Sequence, residues 1–221
     1  MSGVAPSSQN DAVGPCRDSG GLSKLFRNPV GFRGRCIAHL MARKNQGMNE
    51  LALTTLALTP RDCVLEIGFG PGTALQQMLV PNGPQRVVGL ERSAEMLAMA
   101  QQRCNKSQVF NRLELRLGTP ESMSFGAESF TKIFSVNCFQ FWQNQEVGLQ
   151  RCFQALVPGG LLLLPLRIAM SQPVSYKAPG FSLSEVAQVV TWMKGQGFQV
   201  ERESKNQGGR VLEMLRGMKP S

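Results

Sequence analysis

Val64-Leu65-Glu66-Ile67-Gly68-Phe69-Gly70-Pro71-Gly72 is a short apolar run that breaks into three glycines at alternate positions. A strand of a parallel sheet is buried on both faces and therefore reads as a continuous apolar run. Glycines directly after it let the backbone take φ > 0 and approach a ligand closely. The next residues, Thr73-Ala74-Leu75-Gln76-Gln77-Met78-Leu79, predict a helix whose free N-terminal amides face that ligand. Nineteen residues beyond Gly72, Glu91 closes a second apolar run, Val87-Val88-Gly89-Leu90. A carboxylate placed there accepts hydrogen bonds from both hydroxyls of a ribose. The stretch thus predicts a nucleoside-containing cofactor.

The dinucleotide fingerprint requires G-x-G-x-x-G, but here Thr73 stands where the third glycine would fall and Glu66 leads the loop. An acid followed by G-x-G-x-G resembles the first motif of the class I S-adenosylmethionine-dependent methyltransferases. The resemblance runs from about Cys63 to Arg216. It takes in Glu91 after the second strand, Pro158-Gly159-Gly160 before a late apolar strand, and a C-terminal strand pair. It implies an α/β fold: a Rossmann-like doubly wound sheet with a C-terminal antiparallel hairpin, S-adenosyl-L-methionine as cofactor, and methyl transfer. The cofactor set it implies is Glu66, Gly68, Gly70, Gly72, Glu91, Met96, Thr119 and Asn137. Two of these are open at this point. Met96 is either an adenine contact or a core methionine at helical spacing. Thr119 stands where the family often carries an Asp that binds the adenine amino group, leaving backbone groups or Glu121 to serve.

At 221 residues and 42% apolar content, the chain has room for one globular domain with a full core. The expected organisation is a disordered tail over 1–21, too polar to offset ordering entropy, and a single methyltransferase domain over 22–221 whose residues 22–58 form a helical lid. Within that lid Ile37, Leu40, Met41 and Met48 follow helical spacing, and Asn49 is expected to cap a helix through Leu58. No apolar run approaches the ~20 residues a membrane helix requires. Six cysteines form no C-x-x-C pair, which suits buried thiols without disulfide or metal, and the first residues lack a signal layout. A cytoplasmic location is expected, with the nucleus open. The net charge of +9 raises nucleic acid as a partner, but the cations are dispersed with no block of five, which argues against it.

Later elements follow from the same patterning. Strands are expected at 86–90, 113–117 (with one polar face), 130–136 and 161–164, and helices at 93–104 and 145–156, the last stopped by Pro158-Gly159-Gly160. Pro165 cannot donate to a ladder and is expected at a strand end or bulge. Ser182 and Glu185 form a capping box for a helix to Lys194 ended by Gly195. Asn206-Gln207-Gly208-Gly209 turns a hairpin between 198–205 and 210–216. Ligands of open α/β sheets bind beyond the carboxyl ends of the strands, so Asn137-Cys138-Phe139-Gln140-Phe141-Trp142 should face the transferable methyl. Asn137, Phe141 and Trp142 are the candidate catalytic residues, with Gln140 and a loop carrying Arg167 and Tyr176 completing an acceptor site.

Methyl transfer from a sulfonium needs alignment more than acid–base machinery, which suits a chain with one histidine, His39, outside any catalytic constellation. Base-methylating enzymes carry Asn/Asp-Pro-Pro-aromatic where this chain has Asn-Cys-Phe-Gln, which points to a small-molecule acceptor. Two alternatives share the glycine loop. One is an NAD(P)-dependent oxidoreductase, although Tyr-x-x-x-Lys is missing at Tyr176. The other is a non-catalytic cofactor-binding or basic interaction module.

Overall fold

The computed structural model describes residues 45–169 and 180–221. The expected tail, most of the lid, His39 and Tyr176 lie outside the described residues. Seven strands form one sheet in the order β3-β2-β1-β4-β5-β7-β6. They are β1 (Cys63–Ile67), β2 (Arg86–Glu91), β3 (Leu113–Leu117), β4 (Phe130–Phe134), β5 (Leu156–Arg167), β6 (Gln199–Gln207) and β7 (Arg210–Met218). β1 to β5 are mutually parallel, and β7 runs antiparallel to both β5 and β6. The strand order reverses between β1 and β4, and the crevice at such a switch point is where a doubly wound sheet takes its ligand. The fold is the one the motifs imply.

The central strands are apolar on both faces because helices cover both. Val64, Val87, Phe134 and Leu163 pack with residues of α1 (residues 45–56), α2 (Thr73–Met78) and α3 (Ala94–Cys104). On the other face Leu65, Ile67, Val88 and Leu162 meet Leu149 of α4 (Gln145–Ala155) and Val186 and Met193 of α5 (Leu183–Gly195). The edge strands differ as patterning predicts: β3 buries no residue, and β6 carries Glu201, Arg202, Glu203 and Lys205 along an exposed edge that discourages further pairing. Among the described residues no helix is long and apolar enough to cross a membrane.

Several boundaries differ from the sequence reading for local reasons. Asn49 is no cap: α1 already runs at Asn45, and Met48, Ala52 and Leu56 form its buried stripe beside Asn49. Pro158-Gly159-Gly160 does not precede the fifth strand but bulges within it. Phe130 pairs with Leu156 and Lys132 with Leu161, and the bulge is tied to the C-terminal segment by Gly159 N–H to Lys219 C=O (2.8 Å) and Lys219 N–H to Gly160 C=O (2.9 Å). Pro165 lies inside β5 opposite Met214 rather than at an end. The ladder tolerates it because Leu163 turns its carbonyl to Ser135 N–H and Ile168 turns its N–H to Val211 C=O. By alternation Pro165 aims its nitrogen to the β4 side, past Phe134 where that strand has ended, so no ladder bond is lost. Gly195 is the last residue of α5, and the left-handed position falls at Gly197 (φ 100°). The Ser182–Glu185 capping box forms as expected. Gly208 and Gly209 (φ 57° and 73°) make a two-residue hairpin turn with both centres left-handed, matching the twist of the strands.

Candidate cofactor and acceptor site

The glycines after β1 all have positive φ, at 76°, 54° and 80° for Gly68, Gly70 and Gly72, but each is required for a different reason. A Cβ on Gly68 would stand 2.1 Å from Cys138 Sγ, so this glycine lets the β1 loop touch the turn after β4. A Cβ on Gly72 would stand 2.6 Å from the Ala100 Cβ, so this one lets α2 start against α3. A Cβ on Gly70 would meet no atom within 4 Å, because that residue faces an open cleft.

Glu91, the last residue of β2, lies at the cleft wall and is 8% exposed. Its Oε2 accepts from Gly70 N–H (3.1 Å) and its Oε1 from Ser93 N–H (2.9 Å). The carboxyl is thereby fixed between the glycine loop and the start of α3, where Ser93 caps Met96 N–H. Burial raises its pKa, opposed by those backbone hydrogen bonds. Glu66, 3% exposed in β1, is more extreme: burial first, and the neighbouring Glu91 second, push its pKa up to about 8. Its Oε2 is buried without a hydrogen-bond partner. A buried unpaired carboxyl oxygen is costly, and in a cleft it marks a position for a donor.

The cleft continues past Leu90, Met96, Gly118, Thr119, Pro120 and Glu121 on one side and past Asn45, Asn49, Asn137, Phe141 and Trp142 on the other. Met96 is 4% exposed and lies at the cleft wall. Thr119 lines the cleft while its Oγ1 pairs with Ser122 Oγ (3.0 Å). Asn137 holds a left-handed conformation (φ 50°) unusual outside glycine, and its Nδ2 donates to Asn45 Oδ1 (2.7 Å), joining the turn after β4 to the start of α1. Gln140 is not at the wall; its amide donates to Asn137 C=O (3.0 Å) and steadies the turn. Arg167, also away from the wall, ends β5 opposite Leu212. Trp142 lines the cleft beside Phe141 and Asn137 and is at the same time packed into the core. It is 6% exposed, its ring centroid lies 4.8 Å from that of Phe139, and a Cβ on Gly148 would stand 2.4 Å from its ring, so it forms a floor continuous with the core. Arg92, which carried no motif signal, and Cys138 also line the cleft; the Cys138 thiol, pushed up to about 12 by burial, is held protonated. No group of His, Cys, Asp and Glu suited to a metal ion occurs among the described residues.

A doubly wound sheet that opens at its switch point beside a glycine loop and a loop-anchored carboxylate defines an α/β protein that binds a nucleoside cofactor. More specifically, the chain belongs to the S-adenosylmethionine-dependent methyltransferase family. A family model for the methyltransferase domain matches residues 65–164. The chain is 30% identical over 169 residues to the uncharacterized methyltransferase YdaC of Bacillus subtilis, covering 76% of this chain and 89% of that protein. It is 26% identical over 136 residues to the erythromycin 3''-O-methyltransferase of Saccharopolyspora erythraea, covering 62% of this chain but only 43% of that one. The crystal structure of a SAM-dependent methyltransferase from Aquifex aeolicus superposes with a TM-score of 0.65 at 18% identity, over 89% of this chain and 97% of that one. The cofactor is S-adenosylmethionine, and the oxidoreductase alternative falls away.

Proposed function

We propose that this enzyme transfers the methyl group of S-adenosylmethionine to a small-molecule acceptor held beside Asn137 and Phe141. The observation that carries the reading is a cleft whose lining brings the amides of Asn45, Asn49 and Asn137 together with the rings of Phe141 and Trp142. Such a chamber suits a compact ligand with a few polar atoms. The relative named erythromycin 3''-O-methyltransferase, which by its name methylates a small molecule rather than a polymer, supports this class.

The cofactor, when bound, supplies a methyl on a sulfonium, an already activated leaving group. The chain's own task is positioning and exclusion of water. Glu91 holds the ribose hydroxyls with the lone pairs left after its two backbone bonds. Glu66 takes the ammonium of the amino-acid portion, which would satisfy its orphaned oxygen. Gly68, Gly70 and Gly72 bring backbone to the ligand, and Met96 and Thr119 flank the nucleoside. Asn137, with Asn45 locking it, orients the acceptor, and Phe141 covers it. The lid over residues 22–58 belongs to the same proposal, with Asn45 and Asn49 its contributions to the chamber.

Two expected results test these assignments. Glu91→Ala is expected to weaken S-adenosylhomocysteine binding at least tenfold in a calorimetric titration, because hydrogen bonds to a charged group contribute about 1.5–3 kcal/mol. An unchanged affinity rejects the ribose role. Phe141, outside the packed core, is a cleaner acceptor probe than Trp142, whose truncation would hollow the core at a cost of about 3–5 kcal/mol. Phe141→Ala is expected to lower turnover of the acceptor at least tenfold while S-adenosylhomocysteine affinity changes less than threefold. The acceptor class is tested by offering labelled cofactor with a metabolite fraction and with RNA. Label entering RNA, with affinity falling by orders of magnitude between about 50 and 200 mM salt, overturns the small-molecule reading.

A further inference from the structure

We propose that Asn49 is a specificity-determining residue for the methyl acceptor, its side-chain amide reading an uncharged hydroxyl or amide group of that molecule. The inference rests on the acceptor reading above. Asn49 is 7% exposed and lines the cleft. Its side chain makes no hydrogen bond among the described residues. A buried amide without a partner is costly, and replacing it by an apolar group of the same shape is neutral or favourable for the fold alone. The fold therefore gives no reason for an amide here. The helix makes the same point. In α1 residues four apart share a face, and Asn45, Asn49 and Leu53 form one row beside the buried stripe of Met48, Ala52 and Leu56. Leu53 packs against the core, whereas Asn45 and Asn49 line the cleft, so the row turns polar only where it meets the cleft.

Asn49 has neighbours of the same kind. Asn137 Nδ2 donates to Asn45 Oδ1 (2.7 Å), which leaves the N–H2 of Asn45 and the side-chain carbonyl of Asn137 unspent among the described residues. One turn of helix, about 6 Å of rise, separates Asn45 from Asn49. The three amides together offer N–H donors and carbonyl acceptors and carry no charge. Among the described residues the cleft lining holds a single cation, Arg92, against the carboxyls of Glu66, Glu91 and Glu121. An anionic acceptor would meet mostly carboxyls there. A cationic one would find no counter-ion in the amides. A hydroxyl or an amide both donates and accepts, and so matches the three side chains without a charge.

The test is Asn49→Leu in the full chain, which keeps the branched skeleton and removes the polar atoms. Labelled S-adenosylmethionine is offered with a metabolite fraction that has passed through both a cation and an anion exchanger. The wild type is expected to label this uncharged fraction. Asn49→Leu is expected to label it at least about tenfold more slowly, because the acceptor group is left unpaired against an apolar wall. The melting temperature of the ligand-free variant is expected to equal or exceed that of the wild type, and its S-adenosylhomocysteine affinity in a calorimetric titration to change less than about threefold. Asn49→Asp keeps the size of the side chain but loses its N–H donors; it is expected to lower labelling as well, and it stands in if Asn49→Leu fails to fold. Labelling confined to the fractions retained by the exchangers overturns the inference, as does an Asn49 variant that labels the uncharged fraction at the wild-type rate. A variant that weakens S-adenosylhomocysteine tenfold assigns Asn49 to the cofactor and overturns it too. A wild type that binds S-adenosylhomocysteine yet labels only RNA, or nothing, overturns instead the small-molecule reading beneath it.

Discussion

Gly72→Ala is expected to lower the melting temperature by about 5–15 °C, whereas Gly70→Ala leaves the protein folded and weakens cofactor binding. At Gly72 the added methyl would lie 2.6 Å from the Ala100 Cβ and 2.9 Å from its Cα, at φ +80°. The obstacle is the backbone of α3 rather than a flexible side-chain tip, so α2 and α3 must separate. Overpacking costs about 1–3 kcal/mol and a left-handed Cβ about 1–2 more. In a chain of this size each kcal/mol lowers the melting temperature by about 2–4 °C. At Gly70 only the conformational cost applies, because nothing lies within 4 Å of the added carbon. That space belongs to the cleft, and a methyl standing in it should weaken S-adenosylhomocysteine at least tenfold. Thermal melting and calorimetric titration of both variants separate the two effects. Equal losses of stability would show that Gly70 is as enclosed as Gly72.

This division of labour among the glycines was not legible in the sequence, where all three read as one loop. Periodicity reveals that a backbone must take φ > 0, but which neighbour forbids a side chain depends on pairs such as Gly68 with Cys138, seventy residues apart in the chain. The strands of the parallel sheet were legible because a strand buried on both faces advertises itself as an apolar run, and β1, β2 and β3 fall within a residue of their expected bounds. Pro158-Gly159-Gly160 misled because such a tripeptide usually marks a turn, whereas here the C-terminal Lys219 supplies the hydrogen bonds that keep it in a strand. The packing of Trp142 was not legible either. An aromatic cluster after a strand reads as a binding wall, and Trp142 does line the cleft, while only the packing of α4 discloses that Gly148 leaves a slot that the indole also fills. The Thr131 hydroxyl, silent in the sequence, acts the same way: it donates to Asp62 Oδ1 (2.6 Å) and fastens β4 to the turn before β1.

The ligand-free enzyme is expected to lose stability as pH rises from about 4.5 to about 8, and cofactor binding is expected to release a proton over the same window. Both follow from Glu66, whose ordinary value of 4.5 is pushed up to about 8 chiefly by burial, with the Glu91 charge adding to it. A carboxyl with a raised folded-state pKa binds its proton more tightly in the folded chain than in the unfolded one. Below about pH 4.5 both states are protonated and the contribution is full. Above it the unfolded chain gives up the proton while the folded chain keeps it, so stability falls until the folded group also ionises near pH 8. At about 1.4 kcal/mol per unit, the ceiling on this loss is roughly 5 kcal/mol. Glu66→Gln, which cannot ionise, should flatten that part of the stability curve. With Glu66 assigned to the ammonium group of the ligand, binding favours the carboxylate and expels the proton. S-adenosylhomocysteine affinity should then rise up to tenfold per unit between pH 6 and 8 in the wild type and much less in Glu66→Gln. Titrations in two buffers of different ionisation enthalpy count the proton directly. A wild-type affinity independent of pH, with no proton released, would remove Glu66 from the ammonium site and leave its buried oxygen to be explained by packing alone.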